Sequence, residues 1–284
     1  MENSVDKVRT INGLADSLAA NVPKPAEKTF IGADGLLYCS KCGTKVQTRV
    51  TILGKERVMP CVCKCMAEKY KAEDVQREAE NFRRRVAELK AASLMDSAYT
   101  ACSFETARLD TDNKKQMAIA AKYAGAFREM RDRNRGLLFY GPPGTGKTYA
   151  AACIANKLLA EGFKVVMTSF VRVNALDFEE REAIIQTMAD ADLLIIDDLG
   201  AERNTSYSIE KVYDIIDSRV RVNLPLILTT NLTIAQMRNN PDVSYERIYD
   251  RVFQVCYPVE CKGASWRADA ALKMQAEMSA FFKV

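Results

Sequence analysis

From residue 136 onward, apolar residues come in short runs separated by longer stretches with helical spacing. The runs at 137–140, 164–168, 193–196, 226–229 and 252–257 read as strands. The first, third and fourth are almost continuously apolar, the pattern of parallel strands covered on both faces. The stretches between them supply helical crossovers, so the pattern predicts an open α/β sheet with right-handed connections. The chain before residue 136 is patterned differently. Val5, Val8, Ile11 or Leu14, and Leu18 recur at helical spacing until Pro23 and Pro25 stop the element. Residues 46–53 read as a β-stretch with Gly54 as its turn. From 67 to about 95 helix formers run without Gly or Pro, and seven acidic and seven basic side chains cancel across 68–96. That predicts a solvated, charged connector helix. A further helix is expected over 113–131. The resulting organisation is an N-terminal helix and linker over 1–30, a cysteine-bearing module over 31–66, the charged helix over 67–97 and the α/β domain over 98–284.

A chain of 284 residues, 48% hydrophobic and 27% charged, can bury more than one core. Its net charge of +4 permits a polyanionic partner but is far from that of a basic tail. The absence of histidine changes the picture most. It excludes Ser-His-Asp and Cys-His catalysis, H-E-x-x-H metalloproteases, zinc deaminases and Cys/His zinc fingers. No apolar stretch approaches the roughly 18 residues of a membrane span, and the first residues lack the pattern of a signal peptide. A cytoplasmic protein is expected, one in which clustered thiols bind metal.

Gly141-Pro142-Pro143-Gly144-Thr145-Gly146-Lys147-Thr148 matches G-x-x-x-x-G-K-[ST], after a strand and before an Ala-rich helix that Gly162 stops. Glycines let the chain wrap close to a phosphate, so that backbone N–H groups and the helix N-terminus point at the anion. Lys147 supplies charge to the β/γ-phosphates, and Thr148 offers a hydroxyl to Mg²⁺. The apolar run 193–196 ends in Asp197 and Asp198. Asp197 suits the Mg²⁺ shell opposite Thr148, and Asp198 suits the attacking water, with Glu202 next in line. Asn231, at the end of the following strand, falls on the same sheet edge, where it would meet the γ-phosphate or the water.

Together with Glu246-Arg247-Ile248-Tyr249-Asp250-Arg251-Val252, these motifs resemble the AAA+ ATPases of the bacterial helicase-loader family (DnaC/DnaI type). Transposition helpers of the IstB type share that core. The resemblance implies an AAA+ P-loop fold with a five-stranded parallel sheet, preceded by a small zinc-binding domain and the long charged helix. It implies ATP and Mg²⁺ as ligands, self-assembly into a ring or spiral, and two partners: a replicative helicase of the DnaB type and single-stranded DNA. Arg251, or Arg247 one turn before it, resembles the arginine finger, and Arg267 the second sensor arginine. Most relatives carry Glu where Asp198 stands. The shorter side chain suggests slow hydrolysis, and a nucleotide-gated adaptor that hardly hydrolyses is an alternative.

Cys39-x₂-Cys42 is separated by 18 residues from Cys61-x-Cys63-x-Cys65, two thiol groups on separate turns, as a tetrahedral four-sulfur Zn²⁺ site needs. Five cysteines compete for four positions. The resemblance favours Cys39, Cys42, Cys63 and Cys65, with Cys61 the alternate. Lys41, Lys45, Arg49, Lys55, Arg57 and Lys64 surround them against Glu56 alone. Beyond the acidic strand, Thr205 and Ser206 offer hydroxyls at a helix start, and Tyr207 offers a ring on which a base of single-stranded DNA would stack.

Overall fold

Alternate residues on each strand of the main sheet belong to different cores. Leu137 and Phe139, Val165 and Met167, Leu193 and Ile195, and Ile227 join one core; Leu138, Val166, Leu194 and Ile196, Leu226 and Leu228 join the other. A strand buried on both faces has no polar side to show, which is why these segments read as continuous apolar runs. The computed structural model describes residues 28–52, 54–201 and 205–282; the helical pattern over 5–18 and Glu202 lie outside them.

The sheet contains β5 (Gly136–Tyr140), β6 (Val165–Ser169), β7 (Leu193–Asp197), β8 (Leu226–Thr230) and β9 (Cys256–Glu260), all parallel, in the order β6-β7-β8-β5-β9. One face is covered by α2 (Lys114–Gly125), α3 (Phe127–Asp132) and α4 (Lys147–Ala160). The other is covered by α5 (Phe170–Asn174), α6 (Phe178–Ala189), α7 (Ser206–Arg221), α8 (Ile234–Arg238) and α9 (Val243–Val255). The chain ends in α10 (Trp266–Phe282), none of whose residues is buried.

Two expectations are corrected. The strand placed at 252–257 begins only at Cys256, because Val252 and Val255 close a stripe with Tyr245, Ile248 and Tyr249 that faces the core at helical spacing. Helix passes into strand there without a turn residue, since Cys256 is itself the cap, in extended backbone. The helix placed at 113–131 is interrupted at Ala126, whose backbone leaves helical geometry between α2 and α3.

Arg219 is a buried cation that joins elements. Its Nη1 donates to the carbonyls of Met188, Ala189 and Ala191, and its Nη2 to that of Pro225, at 2.8–3.3 Å. It thereby satisfies the last carbonyls of α6 and ties the approach to β7 to that of β8. Burial lowers its pKa to about 10, which leaves it charged at neutral pH.

The chain divides into two compact units between Asn81 and Phe82, within α1 (Lys64–Ala92). The smaller unit has two hairpins, β1 (Thr29–Ile31) with β2 (Leu37–Cys39), and β3 (Gln47–Ile52) with β4 (Lys55–Pro60). Gly54 makes the second turn at φ +77°. The core of this unit is small: Cys39, Val46 and Cys63, with Leu37, Cys42, Cys65 and Met66 packed against them. Its centre is sulfur rather than hydrocarbon. Along α1 no residue is buried, and charged pairs such as Lys69 with Glu73 and Arg84 with Glu88 line its surface.

Candidate functional site

The P-loop leaves β5 and returns as α4. Gly141 adopts φ +131°, and a Cβ there would meet the Cys261 carbonyl oxygen at 2.3 Å, so the close return of the chain after β9 requires glycine. Gly146 caps α4 in left-handed backbone at φ +87°. Lys147, only 5% exposed, donates from Nζ to the carbonyls of Gly141 (2.9 Å) and Pro142 (2.7 Å) and to Asn231 Oδ1 (2.8 Å). Burial lowers its pKa. The hydroxyl of Thr145 donates to Pro142 O at 2.9 Å and closes the loop.

The sheet order brings the other candidates to the same edge, because β8 separates β5 from β7. Asp197, at the end of β7, accepts a 2.6 Å hydrogen bond from the Thr229 hydroxyl, and the nearby Thr148 side chain also favours its charged form. Desolvation raises its pKa. Asp198 stands in left-handed backbone at φ +55°, with its N–H donating to Thr229 Oγ1 at 2.9 Å. Asn231 Nδ2 lies 3.5 Å from Asp198 Oδ1.

A cavity of about 500 Å³ opens beside these groups, within the span of about 300–1,000 Å³ that suits a small molecule. Gly144, Gly146, Lys147, Thr148, Asp198, Asn231 and Arg267 line it. Its other wall was not foreseen: Tyr99, Ala107, Arg108, Asn113, Gln116, Met117 and Trp266. Arg108 lies 5.3 Å from the Trp266 ring, and the Trp266 N–H donates to Gly144 O at 3.0 Å. The Gln116 amide donates to Thr145 O at 2.8 Å from behind the loop. These residues form no motif.

Neither finger candidate lines this cavity. Arg251 is engaged within the chain, 3.0 Å from the buried Asp217, which also pairs with Arg221, and it donates to Gln254 Oε1 at 3.2 Å. Arg247 is exposed on α9, beside a groove lined by Met237, Val243, Tyr249 and Phe253. Tyr207 is 52% exposed, and Arg181 donates to its hydroxyl at 2.9 Å. Arg181 and Lys211 both lie within 6 Å of its ring. The Thr205 hydroxyl caps α7, accepting from Ser208 N–H.

In the smaller unit the sulfurs of Cys39, Cys42, Cys63 and Cys65 all lie within 4.8 Å of one another. Cys39 and Cys65 are 3.6 Å apart, Cys63 and Cys65 3.4 Å. A Zn²⁺ tetrahedron with Zn–S near 2.3 Å has sulfur–sulfur edges of about 3.8 Å, so the four thiols fit that ion. Cys61 turns away toward Lys45 O at 3.5 Å. The Thr44 hydroxyl draws the Cys42 pKa down to about 5, while hydrogen bonding with Cys63 and the other thiols pushes Cys65 up to about 12.

A family model for IstB-like ATP binding proteins matches residues 65–274. The chain belongs to this family. Within the wider set of relatives it is 28% identical over 286 residues to the phage-like element PBSX protein XkdC of Bacillus subtilis, covering 93% of this chain and 98% of that one. It is 27% identical over 158 residues to the replicative helicase loader DnaC of Escherichia coli, covering 53% of this chain and 62% of DnaC. The crystal structure of DnaI superposes with a TM-score of 0.52 at 24% identity, over 60% of this chain and 93% of that one. A putative primosome component from Streptococcus pyogenes gives 0.51 at 22%, over 63% and 97%. The IstB-like chain thus has the AAA+ fold. Among its described residues no helix is long and apolar enough to cross a membrane.

Proposed function

We propose that this chain is a cytoplasmic, ATP-dependent loader that places the replicative DNA helicase on single-stranded DNA. The observation that carries the reading is the convergence of Lys147, Thr148, Asp198, Asn231 and Arg267 on one cavity, with Asp197 beside Thr148. Membership of the IstB-like family and likeness to a curated helicase loader support it. The backbone N–H groups from Gly144 to Thr148 and the Lys147 ammonium hold the phosphates. Thr148 and Asp197 are the residues that would hold Mg²⁺, which would supply charge withdrawal from the phosphates. Asp198, splayed by its left-handed backbone and steadied by Asn231, orients water for hydrolysis. Arg267 meets the phosphates within the chain. Arg247 reaches a neighbouring subunit's nucleotide in a ring or spiral more readily than Arg251, which Asp217 already holds. Tyr207, with Arg181 and Lys211 beside its ring, offers stacking and charge to single-stranded DNA.

Purified replicative helicase of the DnaB type should be captured by this protein with a non-hydrolysed ATP analogue and released with ADP. Capture of a partner transposase instead, with no helicase retained, would favour the IstB-type transposition helper. Phosphate release measured alongside separates an ATPase from an adaptor that hardly hydrolyses.

The thiol module is proposed to hold structural Zn²⁺ on Cys39, Cys42, Cys63 and Cys65. With so small an apolar core, the ion would supply much of the folding free energy of the unit. Metal analysis is expected to give about one equivalent of Zn per chain. Cys61→Ser should keep it, and Cys63→Ser should lose it while ATP binding persists. Loss of zinc in Cys61→Ser alone would reverse the assignment.

A further inference from the structure

In the smaller unit, the pleat of β1 sends Phe30 to one face of the first hairpin and Thr29 and Ile31 to the other. Phe30 is 49% exposed. Tyr38 is its cross-strand partner, and the two rings stack with centroids 5.7 Å apart and planes inclined by 26°. The Tyr38 ring also lies against Gly32, where a Cβ would meet it at 2.3 Å, so the ring can lie flat only beside glycine. A two-stranded hairpin brings no second layer of its own to cover such a stack, and Phe30 is left as its outer ring.

Asp34 arranges charge around these rings. Its Oδ1 accepts from Leu36 N–H at 3.2 Å, while its Oδ2 accepts from the Tyr38 hydroxyl at 3.0 Å and pairs with Lys45 Nζ at 2.8 Å. The Asp34 carbonyl accepts from Arg49 Nη2 at 3.0 Å. Lys45 Nζ lies 5.8 Å from the centre of the Tyr38 ring. One cation just before β3 and one on β3 are thus held beside the stack of the first hairpin. The carboxylate next to them is already engaged, whereas a guanidinium has five N–H donors, more than this one bond uses. Across residues 28–66 there are seven basic side chains and two acidic ones. A four-thiolate Zn²⁺ site lowers that balance by about two and leaves the unit positive.

We propose that the Phe30–Tyr38 stack, with Lys45 and Arg49 beside it, is a binding site for single-stranded DNA. A base stacks on Phe30, and the two cations meet the adjoining phosphates. An exposed ring beside backbone-seeking cations holds single strands without reading their sequence. The site lies in a different unit from the nucleotide cavity and from Tyr207, and it needs neither.

Fluorescence anisotropy of a labelled oligothymidine with the full, zinc-loaded chain tests the proposal. Phe30→Leu keeps apolar bulk but removes the ring, and it should weaken single-strand binding about tenfold. The loss should be the same with and without an ATP analogue, and should recur in a Tyr207→Ala background. Phe30→Tyr restores a ring and should restore the affinity, which separates lost stacking from a lost fold. Binding to a duplex of equal length should not change in Phe30→Leu, since paired bases offer no free face. Arg49→Gln should reduce the slope of log affinity against log salt by about 0.7, the share of one phosphate, and Phe30→Leu should leave that slope alone. Unchanged single-strand affinity in Phe30→Leu would overturn the proposal, as would an equal loss on duplex or no binding by the unaltered protein. Loss of helicase capture in Phe30→Leu at unchanged DNA affinity would make the ring a protein contact and overturn it too. ATP binding, measured separately, tests the nucleotide reading independently of all these outcomes.

Discussion

Replacing Lys147 with alanine is expected to remove nucleotide binding, lowering ATP affinity by about a hundredfold or more, with little change in thermal stability. The ammonium is the one positive charge held inside the loop, and burial has already removed much of its water. Charge-assisted bonds to phosphate oxygens in such surroundings are about twice as strong as neutral ones. The partners that the lysine leaves, the carbonyls of Gly141 and Pro142 and the amide oxygen of Asn231, face a cavity that water can fill. The fold therefore loses little. Calorimetric titration with ATP and Mg²⁺, paired with a melting curve, checks both halves. A variant that binds ATP within threefold of the unaltered protein would remove Lys147 from the site.

The second large effect concerns stability. Arg219→Leu should destabilise the larger unit by about 2–4 kcal/mol, because the carbonyls of Ala189 and Ala191 lose this donor outright while those of Met188 and Pro225 keep only longer backbone N–H bonds at 3.4 Å. For a unit of this size that is a fall in melting temperature of roughly 10 °C. Arg219→Lys should recover part of the loss, since an ammonium carries charge but cannot span acceptors on two sides as the planar fork does. A leucine variant that melts with the unaltered protein would mean that water satisfies those carbonyls.

The parts of the molecule that could be read from sequence are those in which function fixes residue type and spacing at once. The P-loop is one: it needs glycine where φ is positive, and a lysine and hydroxyl directly after. The acidic end of β7 and the amide after β8 are legible for a related reason, because buried parallel strands announce their own ends. The wall from Tyr99 to Met117 has no such constraint. Many side chains can line the wall of a cavity by van der Waals packing, so Ala107, Met117 and Trp266 carry no pattern. The β9 boundary was missed because Phe253 and Val255, flanking a polar Gln254, alternate like a strand while Val252 and Val255 also satisfy helical spacing; packing against the core decides for the helix. Spacing alone left open whether Cys61 replaces Cys63 or Cys65. The chain path after β4 aims Cys61 at Lys45 O and Cys63 into the cluster. Arg219 gave no sign at all, because a lone arginine in an amphipathic helix looks solvated until its carbonyl partners are assembled around it.

Thr229 belongs to neither acidic-strand nor P-loop motif, yet its single hydroxyl donates to Asp197 and accepts from the backbone of Asp198. The two acids are thereby splinted to the end of β8, one through its side chain and one through its main chain. Movement of that strand end cannot reach one carboxylate without the other. The two carboxylates, proposed to hold the cation and to orient water, therefore shift as one lever, and Asn231, two positions beyond the splint, hands the same displacement to Lys147.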